Sequence, residues 1–380
     1  MRVVMLITSY HPIVGGAEKQ LAQVAALMRA EGVEVHIVTR IHRGLAARED
    51  VGGAPVHRVG AAGLPKPLAA AAFLAGAVRR AVALKPDVLH CHSLWSPAVA
   101  GALARRLTGA PLVAKPMRGG EATKIAGTPF GRTRLAWLTR AVDRFVVISR
   151  EIDDELAGFG APEARRVFIP NGVDLSRFEP ADPAEKARLR ARLDLPADAP
   201  VVVFAGRLTA QKRLPLLLDA WADVRAAAPD ALLLVAGADR SAGADDPGRI
   251  DPARLSAPGV RALGHVEDMP ALLRAADVFA LLSANEGLSN ALLEACACGL
   301  AVVASRVGGA TDFLETGRNG MLVDVDDRAG LCDALTALCR DRDLRDRLGA
   351  AARETVARTY DVRATATSLL ALYRSLRLAA

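Results

Sequence analysis

Aromatic residues are scarce in this 380-residue chain: Phe, Trp and Tyr together make up 4% of it. Its basic residues are therefore not interleaved with stacking rings, and nucleic acid is not the expected partner. Cysteine is scarce too. The five present (Cys91, Cys296, Cys298, Cys332 and Cys339) are odd in number and include no C-x-x-C pair, so no disulfide framework or zinc ribbon is encoded. Cys296 and Cys298 fall on one expected helix, where positions two apart diverge by about 200°. Free thiols of this kind fit a reducing cytoplasm. No apolar run approaches the ~18 residues of a membrane span; the longest candidate, Leu68 to Val78, gives out at Arg79-Arg80 and reads as a packed helix. The start, MRVVMLITSY, is too short in its apolar run for a secretion signal and lacks a small-residue cleavage site. Tandem repeats and low-complexity tracts are absent as well.

What is present is an α/β pattern. The length exceeds the usual limit of one hydrophobic core, so two domains are expected, and 51% hydrophobic residues in short Val/Leu/Ala runs suit a folded protein. The net charge of +7 is uneven. Residues 1–174 hold 23 Lys and Arg against 14 Asp and Glu, and the remainder holds 26 against 28. An anionic partner, such as a lipid phosphate or a membrane surface, is thus expected at the N-terminal half. Arg-rich usage throughout is the plainer alternative.

Val3 to Thr8 is a continuous apolar run of the kind found in central parallel strands. A turn with Gly15-Gly16, an amphipathic helix ending near Gly32, and a strand from Val35 to Thr39 follow. This strand–turn–helix–strand order marks a doubly wound fold. The dinucleotide fingerprint G-x-G-x-x-G is missing. Further strands are expected at Val88–His92, Pro111–Ala114 and Phe145–Ser149, with Ser149 capping a helix that is acidic in its first turns. His90 and His92 share one strand face, so a metal pair is thinkable, but no third ligand is evident. IPNGVD, ending at Asp174, closes the first half. The second half repeats the theme with strands at Val201–Ala205, Leu232–Ala236, Val260–Leu263, Val278–Leu282, Ala301–Ser305 and Met321–Val323. Ser241 to Gly248 reads as a mobile loop, and Asp324-x-Asp326 as a turn and helix cap. The domains are expected at 1–172 and 173–357, with a C-terminal helix, 358–380, packing back toward the first.

One stretch organises the second half: SANEGLSNALLEACACG, Ser283 to Gly299. Glu286 and Glu294 bracket seven residues across a strand–turn–helix junction. On a single helix they would stand roughly 12 Å apart along the axis, with azimuths about 80° apart. With Glu286 in the turn they can hold two ends of one elongated ligand, and helix N-terminal amides between them suit a phosphate.

Glu-x7-Glu followed by ACGLAVVASRVGG resembles the nucleotide-sugar site of retaining GT-B glycosyltransferases, family four in particular. GRLTAQKR, with Arg207 and Lys212, resembles that family's G-R-x4-K loop; DVLHCHS and IPNGVD match it too, so the likeness covers nearly the whole chain. It implies two doubly wound Rossmann-like domains facing across a cleft, an N-terminal acceptor domain and a C-terminal donor domain. It also implies transfer of a hexosyl unit from a UDP- or GDP-sugar, or another nucleotide diphosphate-sugar, to a glycan or lipid-linked acceptor. Arg207 and Lys212 would clamp the diphosphate. Glu286 with Gly287, Leu288, Ser289 and Asn290 would hold the hexose and β-phosphate, and Glu294 the ribose. Gly15 and Gly16 would lie close to the donor phosphate, Val266 near the nucleobase, and His92 beside the sugar or acceptor. Glu286, His92, Arg207 and Lys212 form the catalytic set. No metal and no cofactor are expected, because Arg, Lys and helix amides supply the positive field. The sequence departs from the family at Lys115-Pro116-Met117-Arg118-Gly119-Gly120, where His-Gly is usual. Lys115 and Arg118 are expected there as an anion-binding loop for an acceptor phosphate or carboxylate, with a solvated charged loop as the alternative. Cell-surface polysaccharide or glycolipid synthesis, in the cytoplasm or peripheral at the inner face of the membrane, is the implied setting. A nucleotide-sugar 2-epimerase and a non-catalytic nucleotide-sugar sensor remain open beside it.

Overall fold

A computed structural model describes residues 1–13, 15–237 and 250–378. The loop expected from Ser241 to Gly248 lies outside the described residues. The chain divides into two compact units, Met1–Gly172 with Val362–Ala380, and Val173–Asp361.

In the first unit the strands are β1 (Arg2–Ile7), β2 (Glu34–Arg40), β3 (Arg48–Val51), β4 (Ala54–Val59), β5 (Val88–His92), β6 (Leu112–Lys115), β7 (Arg144–Val147) and β8 (Arg166–Phe168). They form one sheet in the order β3-β4-β2-β1-β5-β6-β7-β8, parallel except for β3. Helices α1 (Gly16–Ala30), α2 (Lys66–Ala83), α3 (Ser96–Thr108), α4 (Glu121–Ala126), α5 (Gly131–Ala141) and α6 (Arg150–Gly158) connect them. The β3–β4 hairpin was not expected from the sequence. REDV is polar and three-quarters exposed at a sheet edge, while APVHRV buries His57 and Arg58, so neither strand carries the apolar run that marks its neighbours.

The second unit holds α7 (Pro183–Arg192), β9 (Val201–Ala205), α8 (Leu214–Ala227), β10 (Leu232–Ala236), β11 (Val260–Gly264), α9 (Met269–Ala275) and β12 (Val278–Leu281). Beyond these come α10 (Asn290–Ala297), β13 (Ala301–Ser305), α11 (Ala310–Phe313), β14 (Met321–Val323), α12 (Arg328–Arg340) and α13 (Arg342–Thr359). Its sheet is parallel throughout, in the order β11-β10-β9-β12-β13-β14. The core beneath it is apolar, built on Phe204, Leu217, Trp221, Val303, Leu335 and Leu348.

The last helix, α14 (Val362–Leu378), belongs to the first unit. Its Val362, Leu369, Leu370, Tyr373 and Leu376 join the core formed with β1, β2 and α1. The unit boundary falls after Asp361, four residues beyond the expected 357. Tyr360 stays in the second unit because its carbonyl accepts from the Val173 N–H at 2.8 Å and its ring packs on Phe313. Asp324 and Asp326 are not the helix cap. Asp327 caps α12 through Gly330 N–H, while Asp324 binds Arg306 and Asp326 binds Arg213.

Both sheets reverse their winding direction once, between β1 and β5 in the first unit and between β9 and β12 in the second. In open doubly wound sheets, ligands bind beyond the carboxyl ends of the strands at such a switch point.

Candidate functional site

In the second unit, the residues singled out in the sequence collect at the switch point. β9 leads through Gly206 and Arg207 into a 3₁₀ turn, Ala210–Lys212, and then into α8. Gly237, beyond the adjacent β10, accommodates the close approach of this loop: a Cβ there would lie 1.9 Å from the Gly206 carbonyl oxygen. The loop after β12 runs alongside. Ala284 N–H donates to the Gln211 carbonyl at 2.9 Å, and Gln211 Nε2 donates to the Asn285 carbonyl at 2.7 Å. Two loops far apart in sequence are thus stitched together, and Lys212 Nζ forms an ion pair with Glu286 Oε1. Ser283 Oγ donates to the same carboxylate oxygen at 3.0 Å. Both side chains of the pair remain partly open, at 14% and 15% exposure. Arg207 is exposed, and among the described residues no carboxylate pairs with it.

Glu286 and Glu294 hold the positions their spacing suggests, one in the turn and one buried on α10. Ser289 caps α10, its Oγ accepting from Leu292 N–H. The turn is crowded from behind: Gly309 N–H donates to the Gly287 carbonyl at 2.5 Å, and Gly308, at φ +52°, leaves no room for a Cβ 2.3 Å from the Glu286 carbonyl. Val266 is half-buried just beyond the edge strand β11.

In the first unit, Gly15-Gly16 and His92 follow β1 and end β5, again at a switch point. Gly15 starts α1, and its N–H donates to Glu18 Oε2 at 2.9 Å, so this amide is already satisfied by a carboxylate. His90 and His92 stack with ring centroids 4.3 Å apart. His90 Nδ1 pairs with the Tyr373 hydroxyl at 2.5 Å. His92 is 6% exposed, and its Nε2 has no hydrogen-bond partner among the described residues. Burial, with Lys115 nearby, pushes the His90 ring down to about 3, and burial, His90 and Lys115 push His92 well below the ordinary histidine range. Both rings are therefore neutral and able to accept or donate one hydrogen bond per nitrogen.

The expected loop of Lys115 and Arg118 is corrected. Lys115 is not in a loop: it ends β6 opposite His92, is 5% exposed, and donates from Nζ to Asn171 Oδ1 at 2.8 Å. Burial pulls its amine down to about 8. Arg118 is exposed, so the two cations do not form one anion loop. The space beside Gly119 is also occupied, since a Cβ there would lie 2.0 Å from the Glu151 carboxylate.

With this geometry in hand, the chain can be set beside known proteins. The sequence pattern of the glycosyl transferases group 1 matches residues 199–341, and that of glycosyltransferase family 4 matches residues 14–177. A D-inositol 3-phosphate glycosyltransferase of Saccharomonospora viridis is 33% identical over 95% of this chain and 89% of that protein. The chain belongs to the family 4 glycosyltransferases. An alpha-maltose-1-phosphate synthase of Mycolicibacterium smegmatis, 33% identical over 76% of this chain and 78% of its own length, is a further relative. Among solved structures, HepE of Anabaena in complex with UDP and glucose superposes with a TM-score of 0.80 at 22% identity, over 98% of this chain and 99% of that one. Sucrose-phosphate synthase of Thermosynechococcus elongatus does so with a TM-score of 0.81 at 22% identity over the full length of both. The fold of this glycosyltransferase is GT-B, two parallel-sheet Rossmann-like units.

Several residues of the glycosyltransferase site were not singled out in the sequence. Ser283 opens the organising stretch, but only its bond to Glu286 gives it a part. Gln211 and Gly308 are similar, since each matters through a contact 74 or about 20 residues away. Asn171 lies in IPNGVD but was given no role of its own, and Glu121 and Tyr373 carry no motif signal.

Proposed function

We propose that this glycosyltransferase moves a hexosyl unit from a UDP-sugar to a phosphate-bearing acceptor, with retention at the anomeric carbon and without a metal. The observation that carries the reading is the Lys212–Glu286–Ser283 constellation beside the exposed Arg207, at the switch point of the second unit. A nucleoside diphosphate leaving group gains negative charge as the glycosidic bond breaks. Fixed cations at that point stabilise the transition state more than the ground state. Arg207 and Lys212 take this role, which is the positive charge a metal would otherwise bring. Glu294 accepts from ribose hydroxyls, and Glu286 with the amides of Gly287, Leu288, Ser289 and Asn290 orients the hexose and β-phosphate. Val266 lies against the base, Gly15 and Gly16 near the donor phosphate, and His92 toward the acceptor hydroxyl.

Retention is assigned to a front-face substitution, in which the bond to the leaving phosphate breaks, the acceptor oxygen bonds to the anomeric carbon on the same face, and the leaving phosphate takes the acceptor proton. A double displacement would need Glu286 as nucleophile. Its Oε1 is already engaged by Lys212 and Ser283 rather than left open for attack, which supports the front-face route. The donor assignment is supported by the UDP in the HepE complex, and the acceptor class by the inositol phosphate in the relatives' name. A lipid-linked phosphate is the same chemistry on a membrane-borne tail. It would place the protein at the inner membrane face, in cell-surface glycan synthesis, and the basic first unit suits it. Lys115 and Arg118 then act separately, Lys115 beside His92 and Arg118 at the surface.

The test follows nucleoside diphosphate release from UDP-, GDP- and ADP-sugars, with a soluble polyol phosphate, a lipid phosphate or neither, and with EDTA. Acceptor-dependent release from the UDP-sugar, unaffected by EDTA and abolished in Glu286→Ala, is expected. Release from another donor alone would reassign the base. Sugar trapped covalently on Glu286 would overturn the front-face route.

A further inference from the structure

Glu121 has no role in the reaction as described, yet it is bound to the strand end that carries His92. Its carboxylate is buried, at 3% exposure. One oxygen accepts from Ser93 Oγ at 2.5 Å and from Leu94 N–H at 2.7 Å, and the other accepts from Met117 N–H at 3.0 Å. These donors come from two loops. The first begins one residue beyond His92, and the second two residues beyond Lys115. Ser93 N–H also donates to the Lys115 carbonyl at 2.8 Å, tying the loops to each other. A buried carboxylate needs such donors to tolerate its loss of water.

Ser93 itself is under strain. Its φ is +101°, a region that a residue with a Cβ rarely adopts. Strain of this kind persists only where the surroundings over-determine it. Glu121 holds the Ser93 hydroxyl and the next backbone N–H on one oxygen atom and so fixes the side chain and the peptide plane after the Ser93 Cα, while the Ser93 N–H bond to the Lys115 carbonyl fixes the plane before it. Rotation of Ser93 to an ordinary negative φ would swing the end of β5 and re-aim the ring of His92, whose Nε2 has no partner among the described residues.

We propose that Glu121 is a positioning residue for sugar transfer: it holds Ser93 in its left-handed conformation and thereby sets the direction in which His92 faces the acceptor. The proposal rests on the acceptor-side reading of His92. It makes no use of the Lys212–Glu286 constellation, which belongs to the other unit.

Two substitutions test it together. Glu121→Gln keeps the shape of the side chain but sets an amide NH₂ against one of the backbone N–H donors. It is expected to lower kcat roughly 10- to 10²-fold, the range that follows from displacing a reacting group by about 1 Å, with the KM for donor unchanged. Ser93→Gly alone is expected to keep near-normal kcat, because glycine adopts positive φ without strain. The double variant Glu121→Gln/Ser93→Gly should recover most of the lost kcat. A purely structural Glu121 would instead lower Tm, leave kcat per folded molecule unaltered and gain nothing from the glycine. Either of those results overturns the proposal. If the wild-type protein releases no nucleoside diphosphate from any donor, the transferase reading fails separately. Hydrogen exchange then decides the conformational claim: loss of protection at the Leu94 and Met117 amides in Glu121→Gln, regained at Leu94 in the double variant, supports it, and unchanged protection overturns it.

Discussion

The two units solve the same winding problem with one shared device and opposite choices about what to bury. The device is an aspartate placed one residue before a parallel strand, whose carboxylate accepts the N–H of the neighbouring strand. Asp87 takes Arg2 N–H at 2.6 Å, Asp143 takes Leu112 N–H at 2.8 Å, and Asp277 takes Val201 N–H at 2.7 Å. Each thereby extends a ladder one step beyond the strand it begins. Their burials differ. The first unit then threads polar side chains through its sheet: His36, His57, Arg58, His90, His92 and Lys115 are all buried on strands. In the second unit the central strands β9, β12 and β13 bury Val, Phe, Ala and Leu, with Ser305 as the polar end of β13. Arg207, Lys212 and Glu286 stand in the loops beyond the strand ends, and such loops are where an anionic substrate can reach them. One sheet spends its polar groups on its own interior, whereas the other leaves Arg207, Lys212 and Glu286 at its strand ends.

The largest effect should come from the shared device where it is most buried. Asp277, 13% exposed, pairs with Lys186 at 2.7 Å and with the nearly buried Arg190 at 2.5 Å. Asp277→Ala leaves Arg190 without its carboxylate and Val201 without its acceptor, and breaking a buried pair in this way costs about 3–5 kcal/mol. Asp87→Ala, at a site 34% exposed with an outlying Arg377 at 3.4 Å, should cost about 1 kcal/mol or less from the ion pair. Urea unfolding of the two variants measures both. Equal losses would show that the backbone bond, common to both, carries the device.

A second test separates ligand chemistry from structure. Lys212→Ala removes a cation from the loop pair of the second unit, and a donor of developing negative charge is worth about 10²–10³ in kcat. A loss of that size is expected in steady-state kinetics with the UDP-sugar. Stability should fall by less than in Asp277→Ala, because Lys212 lies outside the apolar core and Glu286 keeps the Ser283 hydroxyl. A large fall in Tm with unchanged kcat would place the ion pair with the structural ones and sink the catalytic assignment.

How far each unit was legible in sequence follows from the same contrast. Apolar runs such as Val201–Ala205 and Val278–Leu281 announce buried parallel strands, because a strand covered on both faces has no polar alternation to show. Turn glycines and the Ser289 cap mark where such strands give way to helices. Arg207, Lys212 and Glu286 could be singled out because they sit in loops whose flanks are regular, and Glu294 because it follows on the helix that leaves the second of those loops. The β3–β4 hairpin was not, since a polar edge strand and a strand burying His57 and Arg58 carry no apolar signal. Lys115 was misplaced for a related reason: a lysine reads as surface until the partner 56 residues away, Asn171, is seen beside it. Tyr373, 283 residues from His90, and Glu121, bound by two separate loops, lie wholly in tertiary contact.

The smallest predicted effect is also the one that tests whether the first unit's buried polar sheet has consequences of its own. Burial, helped by Arg80, His36 and Arg48, pushes the His57 ring down to about 4, and burial with Lys115 pushes His90 down to about 3. Both fall below the ordinary histidine value near 6.5. The folded chain keeps these rings neutral while the unfolded chain protonates them. Their contribution is therefore fully present above about pH 6.5 and drains away as pH falls, down to about 4 for His57 and about 3 for His90. At pH 5.5 this amounts to about 1.4 kcal/mol for each ring. The second unit has only the exposed His265 and no such liability. Unfolding in urea at pH 7.5 and 5.5, resolved by hydrogen exchange into the two units, should show the first weakening more than the second. His57→Gln should flatten the acid slope of the first unit by about a third, His90 and His92 carrying the rest. A steeper acid loss in the second unit would mean that its carboxylate pairs, Asp277 above all, govern the response to acid and that the buried histidines do not.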